Sequence, residues 1–438
     1  MSERGFRDRL PIYLLAAAGL ALAGMYGAVG GWPFPQLVAQ ARTSYEIGQT
    51  VLGSRRPELF AREYDGEGLV AHDPARSAGG LTLVTGTFRE GQAVRLLDAE
   101  GRIVHQWEVD FFEHFPDARE FVRDKRYPAS HANYYLQGVH PFADGSVMLN
   151  YSHLAAIKLD VCSQPVWRVR APLHHSISQN ADGSFWVPSH RELDATPEAW
   201  IHPPHTRQGL EARTRDTHRY HDTVVRVSPE GEILAEVSVL EAVIKGGPEH
   251  EYFDSMARNP TDLTHLNDAV EVTPALAAKI DGVEAGDLLV SLRDYHTLAI
   301  IDPEDNALRW YKTGPWLRQH DPDITPEGNI TLFNNRTRYL GQSQLMEYDP
   351  ATDAARVLYP RAPEDRFYSW IMGTQQALPN GNFLLTESAA GRVIEVTRAG
   401  EVVWDYRMPY DDADAAMITE AIRLPTDFYD TEIPQCPR

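Results

Sequence analysis

Positive charge is scarce in this chain of 438 residues: 41 lysines and arginines face 62 aspartates and glutamates, a formal net charge of −21. With no basic field to engage phosphates, the composition argues against a nucleic-acid partner and reads as a solvated acidic surface. Cysteine is almost absent, limited to Cys162 and Cys436 with no CxxC. Neither sits in the setting of a nucleophile. In an oxidising compartment the two can pair and tie the C-terminal tail to the body; otherwise they are buried thiols. No phosphate-cradling Gly-rich loop occurs either, so nothing points to a nucleotide.

Long apolar runs are also missing, with one exception. Ile12 to Val29 is uncharged and follows Arg4, Arg7 and Arg9. It is about long enough to cross a bilayer, and its basic flank predicts that the remainder is exported. Ala39-Gln40-Ala41 offers a cleavage site, but it lies far beyond the apolar core. The expectation is a retained single-pass anchor over residues 1–30 in the inner membrane, with the folded part periplasmic or extracellular. Residues 31–75 read as a stalk or linker, with a mild helical pattern from Ala41 to Arg62 that could serve a membrane-protein partner.

What is present is repetition. From Leu81 the chain alternates short β-rich runs with Gly, Asp, Asn and Pro turns, an all-β pattern. One unit recurs: an apolar strand, an acidic turn, then a strand that often carries Trp. It appears at Leu96–Gly101 before Trp107, Ile157–Asp160 before Trp167, Val225–Gly231, Ile300–Glu304 before Trp310, Met346–Pro350, and Val393–Thr397 before Trp404. Each copy follows its own turn and strand. The expectation is a six-bladed β-propeller over residues 76–438. Val109–Arg126 and Leu240–Asn259 read as helical insertions and Arg191–Arg219 as a long loop.

The repeat also aligns chemistry. His320 precedes Gly328 by eight residues and His175 precedes Gly183 by eight. Taking the strand after each turn as the first of its blade, both histidines face the central channel. His265 opens another blade, and Arg293 ends that blade's inner strand. No carboxylate ring is apparent beside them. The cluster admits three readings: polar lining of a wet channel, a His₃ metal site, or an anion site. A guanidinium counts against a cation, whereas several donors with one nucleophile suit a sulfuryl group. No metal or other cofactor is expected. The histidines at 190, 202, 205, 218 and 221 match no zinc spacing, and the repeated Trp residues read as blade core.

The ordered set His175, His265-Leu266-Asn267, Ser291-Leu292-Arg293 and Gln319-His320 resembles the PAPS-independent arylsulfate sulfotransferase family, exported six-bladed propellers. The resemblance runs from about Leu81 to Tyr406. It implies His320 as the nucleophile that takes the sulfuryl group, with His175, His265 and Arg293 on its oxygens and Asn267 and Gln319 in support. It implies an aryl sulfate donor, a phenolic acceptor and a sulfohistidine intermediate. The alternative is a non-catalytic, membrane-anchored propeller serving as a scaffold, and a homo-oligomer is open to either.

Overall fold

The structure is a computed structural model. It describes residues 59–436 except 124–125, 202–205, 214–220, 248–250, 252–261, 337–341, 363 and 431–435. The expected anchor and nearly all of the expected stalk helix lie outside the described residues, as do His202, His205 and His218. Among the described residues no helix is long and apolar enough to cross a membrane.

Six antiparallel sheets make the blades of a propeller. Blade 2 runs from the channel outward as Leu136–Pro141, Val147–Tyr151, Ala155–Leu159 and Pro165–Val169. Blade 3 is Ser178–Gln179, Phe185–Arg191, His221–Val227 and Ile233–Ser238. Blade 4 is Leu266–Glu271, Leu288–Leu292, Thr297–Ile301 and Leu308–Thr313. Blade 5 is His320–Ile324, Ile330–Asn334, Gln344–Asp349 and Ala354–Tyr359. Blade 6 is Thr374–Ala377, Phe383–Glu387, Arg392–Val396 and Val402–Arg407, with Gly68–His72 added outside.

Blade 1 closes the ring. Its innermost strand, Met417–Leu424, comes from the end of the chain and pairs with Leu81–Phe88, which leads to Gly91–Leu97 and Ile103–Glu108. The expected helical stalk ends differently from its pattern. Phe60–Ala61 is a short strand paired with Asp414–Ala415 in a two-stranded sheet separate from the blades.

Burial explains which strands the sequence reveals. Second strands such as Leu288–Leu292 and Ile330–Asn334 are buried on both faces, as strands packed between neighbouring sheets must be. The outer strand of blade 4 alternates: Leu308, Trp310 and Lys312 are half-buried while Arg309, Tyr311 and Thr313 are exposed. Six hydrophobic clusters form the core, and each joins two adjacent blades. Trp107 and Trp404 are fully buried in two of them, while Trp167 and Trp310 are half-buried at the margins.

The turn that aligned the histidines joins the first and second strands of a blade. Asp182 Oδ1 accepts from Ser184 N at 3.0 Å, and Asp144 Oδ1 from Ser146 N at 2.9 Å, so an Asx turn is reused. Gly328, at φ +77, has no room for a side chain: a Cβ would meet Ala275 O at 2.3 Å. The strand after this turn is therefore the second of its blade, not the first as its apolar character suggested. The histidines stand at the head of the innermost strand. Arg293 correspondingly follows a second strand.

The insertions are short and largely irregular. Val109–Arg126 holds a one-turn helix, Phe111–His114, capped by Asp110, and a 3-10 turn, Ala118–Glu120. Val239–Gly246 is a helix capped by Ser238, and the region after Arg191 is a loop with the helix Arg207–Arg213. Leu193, Ile201, Leu210, Leu240 and Leu263 pack them together.

Cys162 and Cys436 form a disulfide with Cα atoms 5.5 Å apart. It ties the tail beyond the closing strand to blade 2. Because the bond spans 274 residues of chain, reduction should lower the unfolding free energy by about 2–5 kcal/mol. Denaturant unfolding with and without reductant measures this, and equal midpoints would refute it.

Candidate active site

Four of the six inner strands share one local device. At their heads the ladder slips: between Leu136 and Val139, Leu266 and Asp268, His320 and Asp323, and Ile418 and Glu420. Such bulges turn side chains that alternation would hide. Gln137, Asn267, Asp321 and Thr419 occupy the slipped positions, and all four line one cavity of about 40 Å³ on the axis. His175, His265 and Asp321 add left-handed backbone at φ 54, 49 and 52. Conformations of that kind are uncommon for non-glycine residues and cluster at functional sites.

His320 heads its strand, 5% exposed, and lines the cavity. Its Nδ1 meets two oxygens, Asn335 Oδ1 at 2.7 Å and Arg318 O at 3.1 Å. The amide of Asn335 cannot turn over, because its Nδ2 donates to Ser369 O at 2.8 Å and Met372 O at 2.6 Å. Two acceptors on Nδ1 require Nδ1–H, so in the neutral ring Nε2 carries the lone pair. Burial, then the Arg293 charge, pushes the His320 pKa down to about 3 despite the Asn335 bond. At neutral pH the ring is uncharged and held in one tautomer.

His265 is held differently. Its Nδ1 lies 2.6 Å from Asp262 Oδ2, both groups buried. The carboxylate makes Nδ1 a donor and compensates an imidazolium when one forms. The His265 ring stands 5.8 Å from that of His175, nearly perpendicular. His175 contacts His174 through Nδ1 atoms 2.7 Å apart, and its backbone N donates to Gln137 Oε1 at 2.8 Å. Arg293 is 9% exposed, with Nε and Nη2 on Asp294 Oδ1 at 3.0 and 2.9 Å. Its field reaches His320, and the charges of Arg318 and Asp262 bear on it in turn.

Of the six residues singled out by sequence, His175, Asn267 and His320 line the cavity. His265 packs on His175, and Arg293 acts on His320 through its charge. Asn267 Nδ2 donates to Gln319 O at 2.8 Å, and its buried Oδ1 has no hydrogen-bond partner. Gln319 is fully buried, and its Nε2 donates to Ser291 Oγ, Leu292 O and Thr297 O at 3.1, 3.3 and 3.0 Å. It is not on the cavity wall, because those three bonds use it to fasten blade 5 to blade 4. His221, between Thr196 Oγ1 and Ser238 Oγ at 3.2 and 2.9 Å, is buried strand core.

Two groups of residues escaped the sequence. Asp262 and Asn335 orient the imidazoles. The carboxylates, judged absent, are abundant: Asp262 and Asp294 beside the histidines, and Asp268, Asp321, Asp323 and Glu420 along the channel. Each of the four sits on an inner strand, where polar residues line water instead of core, and each resembles surface charge in so acidic a chain. Burial raises all four pKa values, Asp323 to about 6 and Glu420 to about 8.

Among families, the arylsulfotransferase (ASST) model matches residues 138–409. No curated protein matches the chain. Among solved structures, a protein of unknown function from Bacteroides caccae is 13% identical, covering 78% of this chain and 98% of its own, with a TM-score of 0.48. A streptogramin B lyase is 12% identical over 80% and 86%, with a TM-score of 0.40. The WD40 propeller of Doa1 is 11% identical over 84% and 100%, at 0.41.

A ring held at a pKa of about 3 stays neutral through the physiological range. The His320 imidazole should show no protonation shift between about pH 5 and 8 in nitrogen-edited NMR, where an ordinary histidine titrates near 6.5. A midpoint within that window would refute the assignment.

Proposed function

The chain belongs to the arylsulfotransferase family, and from that premise we propose that it moves a sulfuryl group from an aryl sulfate to a phenol through a sulfohistidine at His320, without a nucleotide donor. The observation that carries this is the fixed Nδ1–H of His320, which leaves a lone pair on Nε2 at the wall of a small axial cavity.

Nε2 attacks sulfur in line with the aryl oxygen. The N–S bond forms as the S–O bond breaks, and the electron pair leaves on the aryl oxide. The ring becomes cationic, and its Nδ1–H already points at two oxygens that stabilise that charge. Arg293, His175 and His265 supply positive charge and donors to the sulfuryl oxygens. His265, as an imidazolium backed by Asp262, gives its proton to the leaving oxide. The acceptor phenol then reverses each step: its proton returns to His265, its oxygen bonds sulfur, and the N–S pair returns to Nε2. Dividing one hard displacement into two easier ones is the gain of such covalent catalysis.

The uncharged N-terminal run would anchor the propeller in the inner membrane with its blades outside the cytoplasm. The Cys162–Cys436 bond is in keeping with an oxidising compartment.

Incubation with 4-nitrophenyl sulfate should release nitrophenol and leave a sulfated peptide containing His320, read by mass spectrometry. His320→Ala should abolish transfer. Arg293→Ala should lower kcat by about 10²–10³, the usual loss when an oxyanion-stabilising donor is removed. Turnover that survives His320→Ala would refute the nucleophile. No turnover from folded, unmodified protein would favour the scaffold reading.

A further inference from the structure

A second group of histidines lies where blade 2 meets blade 3. His153 sits in the turn between Val147–Tyr151 and Ala155–Leu159, and His174 and His175 lie on the segment that enters blade 3. Each offers a ring nitrogen, and the three nitrogens lie within 4.8 Å of one another. His153 and His174 are buried with their ring centres 4.2 Å apart, and His174 meets His175 through Nδ1 atoms 2.7 Å apart. A fourth ring, His190 on the second strand of blade 3, packs 5.4 Å from His153 and 5.8 Å from His174. Of these rings, only His175 has a part in the sulfuryl chemistry above.

The backbone holds all three in place. His153 N donates to Leu173 O at 3.0 Å, His174 N to Pro188 O at 2.9 Å and His175 N to Gln137 Oε1 at 2.8 Å, while His175 O accepts from Asn150 Nδ2 at 2.9 Å. His153 and His175 keep left-handed backbone at φ 59 and 54, a conformation that is uncommon for non-glycine residues and clusters at functional sites. Three imidazoles are a zinc-type donor set. At zinc–nitrogen distances of about 2.0–2.1 Å, tetrahedral ligand nitrogens stand roughly 3.4 Å apart. A small rotation of the His174 and His175 rings opens their Nδ1 atoms to that spacing. No carboxylate belongs to the set, which disfavours calcium and magnesium, ions that seek oxygen. Arg126 Nη1 donates to His190 Nε2 at 2.8 Å, but Glu192 pairs with the Arg126 charge. The guanidinium beside the cluster is thus already neutralised.

We propose that His153, His174 and His175 bind a divalent transition-metal ion of the zinc type, and that the ion sets the tautomer of His175. Without it, the facing Nδ1 atoms of His174 and His175 share one proton, and either ring can be the donor. A neutral ring bound to metal through Nδ1 carries its proton on Nε2. The ring that held the shared proton moves it to its own Nε2. For His175 that is the nitrogen left to the cavity it lines. The ion therefore turns an N–H toward the sulfuryl oxygens, where the other tautomer would set a lone pair against them. This second half rests on the sulfuryl-transfer reading; the binding of the ion does not.

The test uses the full chain, stripped of metal with a chelator. Calorimetry should find one zinc ion per chain with a Kd below about 1 μM, and cobalt in its place should give the visible absorption of a tetrahedral site. His153→Gln and His174→Gln should each weaken binding at least about 100-fold. The triple variant His202→Gln, His205→Gln, His218→Gln, which removes loop histidines, should bind as before. In nitrogen-edited NMR of the unmodified protein, zinc should shift the ring nitrogens of His153, His174 and His175, a reading that needs no variant to fold. With 4-nitrophenyl sulfate, the stripped chain should turn over up to about 10²-fold more slowly, the loss of one oxyanion donor, and zinc should restore it. No zinc uptake by the folded chain would overturn the site, and so would uptake that survives both single variants. Uptake lost in the loop variant would overturn it in favour of the loop. Turnover indifferent to bound zinc would overturn the tautomer role. Zinc held by these histidines, with no transfer in its presence or absence, would keep the site and sink the sulfuryl-transfer reading.

Discussion

The hydrogen bond from His320 Nδ1 to Asn335 Oδ1 is the contact on which the site depends. A neutral imidazole has one donor and one acceptor nitrogen, and either can be the acceptor. Asn335 decides which, and its own orientation is decided by Ser369 O and Met372 O on the segment leading into blade 6. If the amide turned over, an N–H would face Nδ1, the tautomer would reverse and the lone pair would leave the cavity. The reactivity of a residue on blade 5 is therefore set by its neighbour.

Such a contact holds only if the blades keep their angular positions. No blade has a core of its own, since every apolar cluster of the ring is shared by two blades. The ring is rigid only when closed, and Met417–Leu424 closes it against Leu81–Phe88. That strand also carries Thr419 and Glu420 into the cavity wall. The chain end thus completes the fold and the chamber together.

The same physics decides what could be read from the sequence. Second and outer strands face hydrophobic neighbours, so their periodicity survives in the residues, and the Trp-bearing hairpins gave the blade count. Inner strands face the channel. His320–Ile324 reads HDPDI, Ser178–Gln179 has two residues, and Thr374–Ala377 reads TQQA. These three carry few apolar residues to mark them, so the strand after the turn was taken for the first. His175 and His320 were legible because their offset from the turn repeats, and His265 because it opens another blade, whereas the bulges that expose Asn267 and Asp321 leave no pattern. Asp262 carried a weak signal, three residues before His265. Asn335 carried none, because it meets His320 only across the hairpin.

The bulge at the head of blade 5 also places His320 and Asp321 on one wall, where plain alternation would send successive residues to opposite faces. Within one residue the channel passes from imidazoles and the Arg293 field to carboxylates. The cavity that holds both is about 40 Å³ and adjoins a chamber of about 450 Å³. On the sulfuryl-transfer reading, a sulfuryl group resting on His320 would let one phenol replace the other in the same channel.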